Sequence, residues 1–188
     1  MYTTSKDIII KAKKGGYAVP AFNCENLEMV QAIIAAAEET KSPVLLQTTP
    51  STVKYLTLRQ AYAMVKAEAD AASVPVSLHL DHCESYEGVC DALDAGYSSV
   101  MIDASKLPFD ENIALTAKTV AEAHRRGIPV EAELGTVGGK EDSRSASIAY
   151  TDPDQALEFY SKTGIDIFAV AIGTAHGFYK GEPPLDFA

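Results

Sequence analysis

Six short apolar runs, each separated from the next by a longer stretch of helical periodicity, constrain this chain more than any other feature. The runs cover residues 17–23, 43–48, 74–81, 98–103, 129–134 and 166–172. All six are too poor in polar residues to carry a solvated face, so they read as strands buried on both sides. Helical patterns occupy 26–40, 57–72, 85–95, 110–126 and 152–163, and a first helix over 4–14 closes one end. Asn26, Thr57, Ser85, Asp110 and Thr151 are placed to cap them, and Gly96, Gly127 and Gly164 to end them in the left-handed conformation. Strand starts recur at intervals of roughly 25 to 37 residues, which suits right-handed βαβ crossovers in a parallel sheet.

A doubly wound sheet and a (β/α)8 barrel both satisfy that pattern. Ala21-Phe22-Asn23 stands where a dinucleotide-binding sheet would place GxGxxG. A barrel instead collects its reactive residues at the C-terminal ends of several strands, and Asn23, Thr49, Asp81, Asp103, Glu133 and His176 fall there. Residues 135–150 break the alternation, with Gly138, Gly139, clustered charges and three serines but no apolar period. This stretch reads equally as an active-site lid or as a solvated loop.

Charge limits the partners. Sixteen Lys and Arg against 26 Asp and Glu give a net charge of −10 over 188 residues, which argues against a nucleic-acid backbone or an anionic membrane. Phosphorylated small molecules remain compatible, because backbone amides can bind phosphate on an acidic protein. Cys24, Cys83 and Cys90 form neither a CxxC pair nor an even disulfide set. The N-terminus lacks a signal-peptide core and no apolar run is long enough to span a membrane, so a cytoplasmic location is expected.

The run over 74–81 ends in Asp81 beside His82, and the run over 166–172 leads to His176. Titratable groups at the end of a buried strand are costly unless a metal, a hydrogen-bond partner or a cleft stabilises them. His82 and His176 are therefore candidate metal ligands, whereas His124, at a helix C-terminus, is explained by the helix dipole. Period-two alternation puts His79 and Asp81 on one face, so His82 reaches the same cleft only if the backbone turns after Asp81. Glu131 and Glu133 share the face opposite Val130, Ala132 and Leu134 and need a partner of some kind, as does Asp103. Asp81 suits general acid–base work or, equally, the orientation of a ligand. Lewis-acid chemistry at a ketone and metal-assisted hydrolysis fit the spacing alike.

Five collinear stretches carry a resemblance. They are Gly16-Tyr17-Ala18-Val19-Pro20-Ala21-Phe22-Asn23, Leu78-His79-Leu80-Asp81-His82, Ser99-Val100-Met101-Ile102-Asp103-Ala104-Ser105, Val130-Glu131-Ala132-Glu133-Leu134-Gly135 and Ala169-Val170-Ala171-Ile172-Gly173-Thr174-Ala175-His176-Gly177. The chain resembles the class II, metal-dependent ketose-bisphosphate aldolases. That resemblance implies a (β/α)8 TIM barrel, catalytic Zn2+, and cleavage of a ketose 1,6-bisphosphate to dihydroxyacetone phosphate and glyceraldehyde 3-phosphate in glycolysis or related carbohydrate metabolism. It implies Asp81 as the acid–base residue, His82 and His176 as two of three zinc ligands, and Asp103 and Glu133 as ligands of a second or displaced divalent metal. It further implies a backbone contact from Gly177 to dihydroxyacetone phosphate and to a monovalent cation (Na+ or K+). Thr49 matches a hydroxyl on the aldehyde-side phosphate, Asn23 a substrate contact, and Glu141, in the glycine-rich segment, a mobile proton-transferring carboxylate.

Family members continue for about a hundred residues with two more strands and a third zinc histidine in a His-Gly-Ser-type motif. The chain is thus expected to be a single barrel domain over 1–188, incomplete at its C-terminus, holding about the first six βα units and lacking full activity. Full-length members would form homo-dimers or tetramers. Thr48-Thr49-Pro50-Ser51-Thr52 is similar to tagatose-type members and Tyr179-Lys180-Gly181-Glu182-Pro183 to fructose-type ones, with fructose 1,6-bisphosphate favoured. Two other readings stand beside the aldolase. A metal-dependent hydrolase would place a His-x-His pair early, whereas His79 and His82 have two residues between them. A catalytically silent assembly subunit has no reason to keep Asp81, His82, Glu133 and His176 together.

Overall fold

In the computed structural model, described for residues 1–141, 144–146, 149–179, 181–183 and 185, parallel strands alternate with helices. Helix α1 (Ser5–Gly15) precedes β1 (Ala21–Asn23), α2 (Leu27–Glu39), β2 (Val44–Thr48), α3 (Pro50–Leu56), α4 (Leu58–Ala71) and β3 (Val76–Cys83). Then come α5 (Tyr86–Ala95), β4 (Ser99–Ile102), α6 (Phe109–Arg125), β5 (Val130–Leu134), β6 (Gly138–Glu141), β7 (Arg144–Ala146), α7 (Pro153–Thr163), β8 (Ile167–Val170) and β9 (Ala175–His176). The main sheet runs β1-β2-β3-β4-β5-β8 with every pair parallel. Strands that neighbour in sequence neighbour in space, without the reversal of order that defines a doubly wound sheet. The sheet curls as a (β/α)8 barrel does.

Alternation divides each strand between two environments. Val44, Leu46, Val76, Leu78, Val100, Ile102, Val130 and Ala132 are fully buried and join one core with Val30, Ile34, Val65, Ala69, Val89, Ala92, Val120 and Ala123 of the covering helices. The intervening residues, Gln47, Ser77, His79, Asp81, Ser99, Glu131 and Glu133, turn to the inner face. The sheet is thus apolar outside, against its helices, and polar within.

Several expectations are corrected. The two outermost strands are not buried on both faces: β1 is exposed along its length, and β8 is half-buried, with Phe168 stacked on the buried Phe159 and Val170 exposed at its end. β1 is also shorter than the 17–23 run, since Pro20 has no amide hydrogen to give a ladder and only its carbonyl pairs, with Leu45 N–H. Asp110 does not cap α6, which starts after Pro108 without a side-chain cap. Asp152 rather than Thr151 caps α7, accepting from the amides of Asp154 and Gln155, while Thr151 donates to the Leu134 carbonyl. Helix α3 was not expected, although Thr49 at its N-cap followed by Pro50 is a helix-start signal. Residues 135–150 are not all loop: β6 and β7 pair antiparallel, and β6 pairs parallel with β9 in a small sheet ordered β7-β6-β9.

At the end of the sheet away from the site, Asp166 ties three elements together. Its carboxylate accepts from Lys6 of α1 at 2.9 Å, from His124 at the end of α6 at 2.7 Å and from Val130 N–H at 3.0 Å. Burial works to raise this carboxyl, but the hydrogen bonds from His124, Val130 and Lys6 outweigh it and hold it below its ordinary value. Asp166→Asn is expected to cost about 1–3 kcal/mol of stability in urea denaturation at neutral pH. Because the folded-state value lies below the unfolded one, the difference is complete above the unfolded pKa and should fade as pH falls below about 4.

Candidate metal and acid–base site

Polar residues converge where β3, β4 and β5 end. Asp81, Asp103 and Glu133 are all buried, and each lies on the inner side of a different strand or just past its last residue. His82 joins them through a break in the alternation. Its φ is +50°, in the left-handed region, and the β3–β4 register shifts between Leu80 and Cys83. A regular strand would send residues 81 and 82 to opposite faces. The bulge returns both to the cleft, at a backbone cost of about 1 kcal/mol for a non-glycine residue.

His82 Nδ1 lies 2.9 Å from Asp103 Oδ2 and 3.8 Å from Glu133 Oε2. Asp103 is held from its other side, where Oδ1 accepts from Ser105 N–H at 3.1 Å and Ser105 Oγ at 2.6 Å. The Glu133 carbonyl accepts from Asn112 Nδ2 at 3.0 Å, which fixes the top of β5 against α6. Ligand atoms of His82, Asp103 and Glu133 all lie within 4.8 Å of one another. Two buried carboxylates facing one imidazole are costly by themselves, and a nitrogen with two oxygens is a donor set that a divalent cation satisfies. The residues present therefore fit a metal.

His176 stands beside this group, its ring centroid 5.5 Å from that of His82 at an interplanar angle of 69°. It is placed by the small sheet, where Gly139 pairs with His176. Gly139 has φ +91°, and a Cβ there would sit 2.2 Å from the His176 carbonyl oxygen. Only glycine permits so close an approach. Gly139→Ala is expected to push β9 away and weaken divalent-cation affinity about tenfold or more, read by titration calorimetry. An unchanged affinity would show that β6 does not set the position of His176.

Asp81 has its own surroundings. Gln47 Nε2, from the adjacent strand, donates to Asp81 Oδ2 at 2.7 Å, and His79 Nε2 lies 4.0 Å from Oδ1. His79 Nε2 is also 3.6 Å from Glu131 Oε2, and its Nδ1 is 2.7 Å from Ser99 Oγ. Burial, reinforced by the neighbouring His82, pushes His79 down to about 3, so its ring is neutral. Burial and then the charge of Asp81 push Glu131 up to about 7, with His82 opposing. Both shifts arise on the inner face of the sheet, where water is scarce and charges are concentrated.

The remaining expected residues lie around this centre. Asn23 ends β1 and faces Gln47 in register, exposed. Thr49 is buried, and its hydroxyl meets Ser51 at 3.2 Å and Thr52 at 3.3 Å. Gly177 follows His176 with φ +84°. The backbone of Glu141 belongs to β6 opposite Arg144, while its side chain lies outside the described residues. Gln47 and Ser99 were not singled out from sequence, and Glu131 was noted there only as a carboxylate in need of a partner. Their signal is the phase they share with His79 and Asp81 across four neighbouring strands.

The family model "Fructose-bisphosphate aldolase class-II" matches residues 3–188. A "Probable fructose-bisphosphate aldolase" of Bacillus subtilis is 51% identical over 185 residues, covering 96% of this chain and 65% of that protein. A "Fructose-bisphosphate aldolase" of Staphylococcus aureus is 47% identical over 188 residues, covering 97% and 65%. Among solved structures, the YdjI aldolase from Escherichia coli K12 superposes with a TM-score of 0.88 at 42% identity, covering all of this chain and 66% of that one. A putative fructose-1,6-bisphosphate aldolase from Coccidioides immitis gives 0.84 at 35% identity, covering 93% and 62%. The chain thus spans about 65% of the length of the curated relatives it matches.

Proposed function

The chain belongs to the class-II fructose-bisphosphate aldolase family, and from that premise we propose that it performs reversible, zinc-dependent aldol cleavage of a ketose 1,6-bisphosphate, with fructose 1,6-bisphosphate favoured. The products are dihydroxyacetone phosphate and glyceraldehyde 3-phosphate. The observation that carries this reading is the convergence of Asp81, His82, Asp103 and Glu133 with His176 at one end of the sheet.

In this reading His82 and His176 hold the cation, and Asp103 and Glu133 complete its surroundings or hold a second divalent ion. The metal, when bound, supplies Lewis acidity that polarises the ketone carbonyl. Asp81, held through one oxygen by Gln47, accepts the proton of the hydroxyl beside the breaking carbon–carbon bond. The electron pair of that bond stays with the ketone-bearing fragment. Gly177 contacts the dihydroxyacetone phosphate half through its backbone and can also serve a Na+ or K+ ion. Thr49 contacts the aldehyde-side phosphate, Asn23 contacts the substrate, and Glu141 moves a proton from the β6 side. Burial of the acid–base group and the carboxylates limits the access of water to the reacting bond.

We further place the protein in the cytoplasm, acting in glycolysis as a homo-oligomer. Among the described residues, no helix is long and apolar enough to cross a membrane.

The test is turnover of fructose 1,6-bisphosphate, with tagatose 1,6-bisphosphate in parallel and triose phosphate read by coupled NADH oxidation. It is run on this chain and on a hybrid continued by the C-terminal third of the Bacillus subtilis relative. Metal-dependent cleavage by the hybrid is the expected result. A hybrid that binds zinc yet cleaves neither sugar overturns the aldolase reading, and preference for tagatose bisphosphate overturns only the substrate.

A further inference from the structure

The inner face of the sheet holds a string of polar residues that the proposed reaction leaves without a role. Ser5 of α1 donates to Ser99 Oγ at 2.8 Å, and Ser99 Oγ lies 2.7 Å from His79 Nδ1. Ser5 and Ser99 are fully buried and His79 is 2% exposed. The register sets the pairing, since His79 of β3 faces Ser99 of β4 directly. With Ser5 donating to it, Ser99 keeps its own hydroxyl hydrogen to give, and giving it to Nδ1 makes that nitrogen the acceptor. The ring hydrogen is left on Nε2, which faces Asp81 Oδ1 at 4.0 Å and Glu131 Oε2 at 3.6 Å. Both distances exceed a hydrogen bond, so the N–H acts as an oriented dipole between two carboxyl groups. Gln47 holds the opposite oxygen of Asp81.

We propose that His79 is a positioning residue for Asp81, fixed by the Ser5–Ser99 pair in the tautomer whose Nε2–H faces the carboxyl group, so that Asp81 keeps one orientation while it exchanges protons with the substrate. The inference rests on the aldolase reading for the identity of that reaction. A histidine that only filled space would be replaceable by an apolar residue of similar size. An orienting one would not be, because the ring must deliver a hydrogen at one nitrogen and accept one at the other.

Two measurements test this. In the 188-residue chain labelled with 15N-histidine, long-range 1H–15N correlation should show His79 neutral and protonated at Nε2, and Ser99→Ala should mix the tautomers. In the form that turns over, His79→Leu should lower kcat about tenfold or more with KM held within about threefold. His79→Gln, whose amide N–H reaches the place of Nε2, should recover most of the loss. Protonation at Nδ1 in the wild type, or full kcat in His79→Leu, overturns the inference alone. If His79→Leu does not fold, the kcat of Ser99→Ala and the wild-type spectrum decide. Absence of turnover in both the wild-type chain and the hybrid overturns the parent reading, and this inference with it.

Discussion

Asp81→Ala is expected to leave zinc bound while lowering kcat by about 10²–10⁴-fold, the range that removal of a positioned acid–base group produces. The candidate metal-binding group is made by His82, Asp103 and Glu133, with His176 alongside, and Asp81 is not among its members. In the proposed reaction, what the substitution removes is a proton acceptor with one oxygen held by Gln47. Zinc content by atomic absorption together with kcat on the hybrid separates the two effects. Loss of metal in this variant would make Asp81 a ligand, and near-normal kcat would remove it from the reaction. Asp81→Asn keeps the shape and the neighbours but not the basicity, so it should lose turnover almost as completely.

His82→Ala should do the reverse and abolish metal binding at stoichiometric zinc. His82 Nδ1 is the atom that approaches both Asp103 and Glu133, so its loss leaves two buried carboxylates facing each other across a vacated space. Like charges in that position disfavour joint ionisation, and a protonated carboxyl is a poor ligand. Affinity should fall by at least 10²-fold by titration calorimetry, with turnover falling in parallel. Retention of near-wild-type zinc affinity would mean that the ion is held elsewhere. The opposite behaviour of adjacent residues is the sharpest distinction this site offers, because both variants disturb the same bulge of β3.

The positions of Asp81, Asp103 and Glu133 were legible because strand ends show in a single sequence as the point where an apolar run stops. The need for a turn after Asp81 was also legible, from the parity of 79, 81 and 82, and the bulge and φ of +50° at His82 are how the chain meets it. What parity within one strand does not contain is the register between strands. Gln47 reaches Asp81, and Ser99 reaches His79, only once β2, β3 and β4 are aligned. Ser5 is further removed, since a helical serine gives no sign that it will be buried against a strand about ninety residues later. The β6–β7–β9 sheet escaped for another reason. Gly138 and Gly139 carry no apolar period, and that pairing is held by backbone contact at a glycine rather than by a hydrophobic face. Helix α3 was hidden by its seven-residue length, too short for a period to register.

The order of strands has a consequence for local stability. β2 to β5 each pair on both sides, so their amides should exchange with solvent only on global unfolding, whereas those of β1, β8 and the small sheet should exchange through cheaper local openings. His82 is supplied by β3, Asp103 follows β4 and Glu133 lies in β5, on the slow side of that boundary, and His176 and Gly177 lie on the fast side. One half of the candidate metal site is thus expected to behave as a fixed jaw and the other as an adjustable one. Ligand binding should slow hydrogen exchange most around residues 173–177 and hardly change it in β3.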